Sequence, residues 1–436
     1  MENSNFKKCF IWNLLGTGFN AFNSLFFLII VTRINGLENA GVFTIAFSTA
    51  CILYAVGLYS GRIYQVTEQN KTISDIDFIF SRVCTNIIML ILVAIFCFFK
   101  KYDGSKVFVF FMLTIYKALE AFSDVLYGIL QKNEELDIVG KSLFIKSLVS
   151  ILLFLLVDII SKNMYISIVC IVAVYILIII IYDYKKVKNK IDYSKKVNKK
   201  NIYLIIKSGF FTFAISFLGM YVLNAPKYAI DMYLTEELQT IFGIIVMPAT
   251  VVGLVAQFLI HPFLNKILAL YENLHIKELR KLILKLQLLV TIFGIIAMIT
   301  GYFIGTQILG FVYGLDLSMY KMGLAIIIFS ATLYTIGTIF SSVLTTMRST
   351  FSQFVIYVIV SINALIISNI LTKNVDIKGA IISYFIIMTL HSICYTIFTN
   401  IKLHSIAKQK VHIERRRIWK IKKLQFLCQH IMEKNI

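Results

Sequence analysis

The sequence predicts an all-α protein that crosses a membrane about twelve times, in two lobes of six helices around a central cavity. Three observations lead to this prediction: the composition, the length of the apolar runs, and a basic segment that divides the runs into two equal sets. Of the 436 residues, 58% are apolar and 15% are charged, and the mean hydropathy is +0.81. No polar surface could cover such a core in water, so a soluble fold is excluded.

Twelve apolar runs are long enough to cross about 30 Å of hydrocarbon. They cover 11–32, 42–61, 83–99, 107–130, 143–160, 165–184, 203–223, 238–262, 283–304, 319–346, 352–371 and 379–401. The first run follows a short, weakly charged start, and no small-residue cleavage site is evident near it. We therefore expect a retained helix and not a signal peptide.

The distribution of Lys and Arg predicts the topology. With a cytoplasmic N-terminus, the cytoplasmic segments and adjoining span ends hold 31 of the 43 basic residues, and the external ones hold 9. This asymmetry favours cytoplasmic N and C termini. The inside charge is concentrated in 185–200 and after Lys402, where anionic membrane lipids are the nearest counter-charge. The net charge of +20 is explained in this way, and nucleic acid is not expected as a partner.

The basic segment separates six runs from six, which suggests a duplicated design. An offset of 199 residues aligns Lys8 with Lys207 and Arg62 with His261. Small polar residues that allow close helix packing would give a similar pattern, so this alternative stays open. The predicted organisation is an N-terminal lobe (1–184), a cytoplasmic linker (185–202), a C-terminal lobe (203–401) and a cytoplasmic tail (402–436).

The fourth run contains three charged residues, Lys117, Glu120 and Asp124, in the stretch "YKALEAFSDVLYGILQK". Spacings of three and four place them on one face of a helix. Each ionised residue near a helix centre costs about 3 kcal/mol on insertion scales, so this face is not expected to contact lipid. An ion pair between Lys117 and Glu120 would explain two of the charges but would leave Asp124 without a partner, which favours a water-filled functional cavity.

The sequence contains no motif that is typical of an enzyme, a cofactor site or a metal site. The six histidines show no metal-ligand spacing, and Walker, G-x-S-x-G and C-x-x-C motifs are missing. The longest predicted external loops, 224–237 and 305–318, are too short to hold the active site of a glycan polymerase or ligase. We therefore expect a protein that is not an enzyme and needs no cofactor.

Four stretches of the chain resemble the Wzx-type polysaccharide flippases of the multidrug/oligosaccharidyl-lipid/polysaccharide (MOP) exporter superfamily. They are "NLLGTGFNAFNSLFFLIIVTRINGLENAGVFTIAFS", "GLYSGRIYQVTE", "YKALEAFSDVLYGILQKNEELDIVGKS" and "NAPKYAIDMYLTEELQTIFGIIVMPATVVGLVAQFLIHPFLNKI". The resemblance implies a MATE-like fold that alternates between inward-open and outward-open states in a bacterial cytoplasmic membrane. It also implies transport of undecaprenyl-pyrophosphate-linked oligosaccharide, alongside a glycan polymerase or glycosyltransferases of the same pathway. A MATE-like cation-coupled exporter of drugs or metabolites is the alternative.

A pyrophosphate group is an anion, so basic residues in or near the spans are candidate receivers. They are Arg33, Arg62, Lys117, Lys207 and His261. Side chains near span ends also reach headgroups in many membrane proteins, which is the alternative for Arg33, Arg62 and Lys207. Asn13 and Asn20 belong to a polar stripe on the first helix and are further candidates for the cavity wall.

Glu120 and Asp124 have two candidate roles. They would either balance Lys117 in the absence of substrate or carry a proton or sodium ion inward.

The C-terminal segment 415–436 predicts an amphipathic helix. Apolar residues recur on one face and basic residues lie opposite, as in helices that lie on the inner leaflet. A helix that docks on a protein partner is the alternative.

Overall fold

A computed structural model of the protein describes residues 2–59, 61–68 and 73–433, with side chains between Lys8 and Ile406 other than position 63. The described part is helical nearly throughout and contains no strand. In the N-terminal half the helices are α1 (Glu2–Leu58), α2 (Gly61–Thr67), α3 (Asp75–Lys100), α4 (Gly104–Lys132), α5 (Leu136–Ser161), α6 (Met164–Ile178) and α7 (Lys185–Val187). In the C-terminal half they are α8 (Lys199–Tyr233), α9 (Glu236–Ile260), α10 (Leu264–Glu272), α11 (Ile276–Thr300), α12 (Thr306–Tyr313), α13 (Lys321–Thr346) and α14 (Thr350–Glu433).

Polar residues at the ends of apolar runs start many of these helices. The side chains of Ser74, Asp103, Asn163, Asn198 and Thr235 each accept a hydrogen bond from a backbone amide in the first turn of the helix that follows. Such caps satisfy amides that have no partner within the helix. Each of these helices can therefore begin directly after the connection that precedes it.

The predicted twelve crossings agree with the helices of the structure. Among the described residues, nine helices are long and apolar enough to span a membrane. Two of these contain two spans each, because α1 bends at Gly36 and α14 bends at Val375 and Asp376. Gly36 has φ 85°, a conformation that residues with a side chain rarely adopt. The charged α4, with 29 residues, is the twelfth crossing.

Two bundles make up the fold. Buried apolar residues of the last six crossings form a cluster that extends from Val222 to Leu403. The first six crossings supply most of two further clusters, one around Phe27 and Phe110 and one around Leu130. Helix α1 lies at the boundary, since it packs on α4 and α5 of its own lobe and on α8 and α9 of the other. The all-α, two-lobe prediction is confirmed.

The alignment by 199 residues is reflected in the helix breaks. Adding 199 to 36 gives 235, and the chain leaves the helix at Leu234 and Thr235, between α8 and α9. The bend at Gly36 and this break therefore occupy matching places in the two halves. We call the side that contains both of them, with Lys101–Asp103 and Gly314–Leu317, the loop end. The opposite side, with residues 188–198, is the linker end.

The predicted end of the seventh run differs from the structure. The seventh run was predicted to end at 223 and to be followed by an external loop, but α8 continues through Pro226 to Tyr233. Proline is tolerated in membrane helices where neighbouring groups satisfy the freed carbonyl. The backbone of α14 is helical to Glu433, whereas the side chains after Ile406 and the residues 434–436 lie outside the described part. The apolar face of the tail helix therefore stays a prediction.

Candidate functional site

A cavity of about 630 Å³ lies between the lobes. Helix α1 contributes the N-terminal wall, and α8, α9, α13 and α14 contribute the C-terminal wall. Its polar lining consists of hydroxyl and amide side chains, one thiol, one lysine and one histidine: Ser24, Thr44, Ser48, Cys51, Asn224, Lys227, Thr250, Gln257, His261, Tyr334, Thr335, Thr338, Ser342 and Tyr384. None of the lining residues is Asp or Glu.

Lys227 supplies the lysine of this cavity. It lies on α8 one residue after Pro226, and its Nζ donates a hydrogen bond to Ser48 Oγ across the lobe boundary at 3.0 Å. No carboxylate of the described residues forms an ion pair with it, although several other interior lysines and arginines are paired. A lysine whose hydrogen bond is to a neutral hydroxyl, with no paired carboxylate, is available to bind an anion.

Lys227 was not among the residues predicted from the sequence to line the cavity. Residues 224–237, which include "NAPKYAID", were assigned to an external loop because the seventh apolar run was taken to end at 223. The structure corrects this, since Lys227 is inside a membrane helix and faces the cavity. The signal that could have found it is the apolar sequence that resumes after Pro226.

Lys117 and Glu120 form an ion pair on α4. Lys117 Nζ lies 2.7 Å from Glu120 Oε2, and Asn20 Nδ2 donates to Glu120 Oε1 at 3.0 Å. The ammonium group also lies 5.1 Å from the centre of the Phe47 ring, which lines the cavity. In this conformation the pair therefore lies behind the wall formed by Phe47. Its predicted role in the cavity stays a prediction.

Asp124 does have partners, so the inference that it would lack one is wrong. Its carboxylate accepts from Arg82 at 3.1 Å and from Arg62 at 3.4 Å. Arg62 also donates to Gln131 at 3.0 Å, and Arg82 donates to the Gly57 carbonyl. The sequence did not reveal that Arg82 pairs with Asp124. Arg82 directly precedes an apolar run and resembles an ordinary basic residue at the end of a span.

A second interior pair joins α5 to the π-helical turn that ends α6. Lys146 and Asp183 are each 1% exposed and form an ion pair. Lys146 also donates to Ser123 and Tyr127, and Asp183 accepts from Ser142. This group lies inside the N-terminal lobe, away from the cavity wall. It joins three elements of the lobe: α4, α5 and the π-helical turn.

Charged residues also bridge the lobes at the loop end. Asp231 of α8 accepts from Lys106 at 2.8 Å, from Lys100 at 3.1 Å and from Tyr102 at 2.5 Å. Lys106 also pairs with Glu236 at 2.5 Å. The carboxylate of Asp231 is fully shielded from solvent. This cluster, which we call the loop-end ion cluster, connects α3 and α4 of one lobe to α8 and α9 of the other.

The remaining predicted residues are dispersed. Arg33 donates to the carbonyls of Val312 and Phe311 at the end of α12, outside the cavity. Lys207 is exposed near the linker end of α8, with its Nζ 5.9 Å from the Tyr203 ring centre.

His261 and Asn13 are the last two predicted site residues, and only His261 lies in the cavity wall. His261 lines the cavity at the end of α9, and its predicted role as a receiver of the anion stays a prediction. Asn13 accepts a hydrogen bond from Thr17 on its own helix and does not line the cavity. Of the predicted receivers, only His261 belongs to the cavity wall in the described conformation.

Known proteins with a similar sequence or structure include membrane transporters and a polysaccharide biosynthesis protein. No family model matches the chain. It is 26% identical over 316 residues to the capsular polysaccharide biosynthesis protein CapF of Staphylococcus aureus, which covers 71% of this chain and 77% of that protein.

Solved structures share the fold at low identity. An inward-facing multidrug resistance transporter of the MATE family, in the MOP superfamily, has a TM-score of 0.63 at 11% identity and covers 89% of this chain and 96% of its own. A mutant of the Vibrio cholerae MATE transporter VcmN has a TM-score of 0.63 at 13% identity, with coverages of 92% and 98%. The lipid II flippase MurJ, in an inward closed conformation, has a TM-score of 0.65 at 15% identity, with coverages of 92% and 91%. The chain is thus a multi-pass membrane protein with the fold of the MOP superfamily transporters.

Proposed function

We propose that the protein is a flippase that moves undecaprenyl-pyrophosphate-linked oligosaccharide from the inner to the outer leaflet of a bacterial cytoplasmic membrane, for synthesis of a cell-surface polysaccharide. The observation that carries this proposal is the charge of the inter-lobe cavity: it contains an unpaired lysine, Lys227, and no acid. A pyrophosphate would replace the Ser48 hydroxyl as the main partner of this lysine.

The rest of the cavity wall suits a glycan. Hydroxyl and amide side chains such as Thr335, Gln257 and Asn224 can donate to and accept from sugar hydroxyls. Phe43 and Phe47 supply aromatic surface on the opposite wall. The similarity to CapF supports a role in polysaccharide synthesis, and the MurJ-like fold supports a lipid-linked cargo.

The same charge argues against the alternative, a MATE-like exporter of cationic drugs. A cation in this cavity would meet Lys227 and would find no carboxylate among the lining residues. Desolvating a cation without a counter-charge is unfavourable. The lining therefore favours an anionic cargo.

We propose alternating access as the mechanism, with the linker (185–202) and the tail (402–436) on the cytoplasmic side. The loop-end ion cluster joins the lobes on the opposite side, and His261 lines the cavity near the linker end. This conformation would then receive cargo from the cytoplasm. Opening outward requires the bonds of Asp231 to break. The membrane potential favours this transport, because moving a negative charge outward gains about 2.3 kcal/mol per charge per 100 mV.

We further propose that the N-terminal charges act together with the cavity. Rotation of Phe47 would expose the Lys117–Glu120 pair to the cargo. Glu120 and Asp124 stay the candidates for ion coupling, and Asp124 would have to release Arg62 or Arg82 to take part. Asn20 would hold Glu120 in place during such a step.

Substitution of Lys227 tests the cargo assignment. Lys227→Ala should reduce delivery of lipid-linked glycan to the outer leaflet by about tenfold to a hundredfold, since a charge-assisted hydrogen bond contributes about 1.5–3 kcal/mol. Lys227→Arg should keep part of the activity. Delivery is measured in spheroplasts with an impermeant glycan-modifying enzyme, and the membrane level of each variant is measured in parallel.

Lys207→Ala is the matched control, because Lys207 is exposed on the same helix. It should deliver glycan like the parent. Normal delivery by Lys227→Ala would refute the assignment of this residue. Efflux of a cationic dye by the parent, without glycan delivery, would establish the MATE-like alternative instead.

The proposed orientation has a separate test. In a cysteine-free variant, Lys195→Cys in the linker should be inaccessible to an impermeant external thiol reagent, whereas Thr235→Cys at the loop end should react. Both positions lie outside the membrane-spanning cores of the helices. The reverse labelling pattern would mean that the chain is inserted the other way round.

A further inference from the structure

A second concave site lies on the C-terminal lobe and shares no lining residue with the inter-lobe cavity. This groove has a volume of about 460 Å³ and is formed by α11, α13, α14 and the π-helical turn Gly301–Gly305. Its lining is apolar or aromatic throughout, and includes Tyr302, Ala325 and Ile382. Phe303 is 60% exposed, so the groove opens toward the hydrocarbon and not toward the other lobe.

The stretch "GYFIG" builds one wall of the groove. A Cβ atom at Gly301 would lie 2.3 Å from Ile328 Cδ1, and one at Gly305 would lie 2.7 Å from Leu324 Cδ2. The two glycines therefore let the π-helical turn pack directly on α13. The wider turn places Tyr302 and Phe303 on the groove wall. Short π-helical segments of this kind occur frequently at functional sites.

Two lysines lie at the loop end of the groove. The Nζ of Lys321 lies 5.0 Å from the ring centre of Tyr302 and 5.8 Å from that of Phe303, and both rings line the groove. Lys378 is exposed and lies one helical turn from the lining residue Ile382 on α14. Neither lysine forms an ion pair with a carboxylate of the described residues. Positive charge therefore marks the end of an apolar groove.

We propose that this groove binds an anionic phospholipid, with an acyl chain along Tyr302, Ala325 and Ile382 and the headgroup phosphate on Lys321 and Lys378. A volume of 460 Å³ corresponds to roughly fifteen groups of the size of water, at about 30 Å³ each, which suits one acyl chain and not a long polyprenyl chain. The lysines lie where the helices reach the headgroup layer, so they contact a phosphate without leaving the interface. The site is separate from the proposed transport cavity and does not depend on the proposed function.

Native mass spectrometry of the purified full-length protein tests this site, with phosphatidylglycerol and phosphatidylcholine of identical acyl chains as probes. The parent should retain phosphatidylglycerol about tenfold or more in preference to phosphatidylcholine. The double variant Lys321→Gln/Lys378→Gln should bring the two lipids close to parity, because each lysine near an anionic headgroup changes affinity about fivefold. Lys373→Gln, in the same bend of α14 but without a neighbour on the groove wall, is the matched control and should behave like the parent.

A second substitution tests the apolar part. Ala325→Phe should fill the groove and remove retention of both lipids, and Met322→Trp should cover it from the exposed side if the buried substitution impairs folding. Equal retention of the two lipids by the parent, or an unchanged preference in the double lysine variant, would overturn the proposal. Displacement of phosphatidylglycerol by undecaprenyl phosphate in the parent, but not in Ala325→Phe, would show that the groove takes a polyprenyl lipid instead.

Discussion

The two lobes have similar helices but very different interiors. Seven charged residues of the N-terminal lobe are buried in the described structure: Asp77, Arg82, Lys106, Glu120, Lys146, Asp158 and Asp183. In the described part of the C-terminal lobe, the carboxylate of Asp231 is shielded from solvent at the lobe boundary. No other Asp or Glu and no Lys or Arg of this lobe is among the buried residues that the structure describes, although His391 is buried in its interior.

Hydrogen bonding differs in the same way. In the N-terminal lobe, side-chain bonds such as Arg82 to Asp124 and Lys146 to Asp183 join different helices. In the C-terminal lobe, Thr332 and Thr335 donate to carbonyls four residues earlier on their own helix, and the bonds of Gln353 with Ser341 and Thr345, which join α13 to α14, are between neutral side chains. We infer that the N-terminal helices are fixed to one another by specific pairs, whereas the C-terminal helices are held mainly by apolar packing. A duplicated fold can thus combine a rigid lobe with a more adaptable one.

The largest expected effect on stability concerns Lys146. Lys146→Ala leaves the carboxylate of Asp183 buried without its cation, and breaking a buried pair costs about 3–5 kcal/mol. The free energy of unfolding of the purified protein, measured by denaturant titration in micelles, should fall by this amount. Lys146→Met/Asp183→Leu should recover most of the loss. A single variant as stable as the parent would contradict the idea of a lobe fixed by charge pairs.

A smaller effect on stability, but a clear effect on transport, is expected at Lys117. Lys117→Ala should lower glycan delivery at least about tenfold while the protein still accumulates, because Asn20 still donates to Glu120 and a lone carboxyl group can take up a proton. Delivery and membrane level are measured as for Lys227. Recovery of near-normal delivery by Lys117→Ala/Glu120→Ala would show that the pair only supports packing.

The smallest effect is expected at His391 in the other lobe. Its ring lies 4.5 Å from that of Tyr334 and 4.7 Å from that of Tyr395, and neither ring nitrogen has a hydrogen-bond partner in the described structure. His391→Phe keeps an aromatic side chain and removes two unsatisfied polar atoms, so the free energy of unfolding should change by less than about 1 kcal/mol, or rise. If the free energy of unfolding fell by more than about 2 kcal/mol in the same titration, His391 would be making a stabilising polar contact in the C-terminal lobe.

The fold was largely predictable, because a long apolar run that inserts into a membrane is almost always a helix. The bends at Gly36 and at Val375 and Asp376 lie in the predicted gaps between runs. The end of α8 was not predictable by the same reasoning. Asn224 and Pro226 resemble a turn, and only the neighbouring helices show that the chain continues as a helix.

The candidate site was less predictable, because its partners come from distant parts of the chain. The spacing of Lys117 and Glu120 was enough to suggest their pair, since both lie on one helix. The pairing of Asp124 with Arg82 depends on how α3 packs against α4, which local patterns do not encode. Lys227 faces the cavity only because α8 borders the other lobe at Ser48.

The short connections of the loop end restrict what can reach the protein from that side. The chain turns there at Gly36, at Lys101–Asp103, at Leu234 and Thr235, and at Gly314–Leu317, with few residues outside a helix. A protease or an antibody needs several residues of extended or protruding chain. In the described part, the segment 188–198 at the other end is longer and mostly exposed. Epitope tags and selective cleavage sites are therefore best placed in that segment, whereas reagents directed at the loop end will have to recognise helix ends.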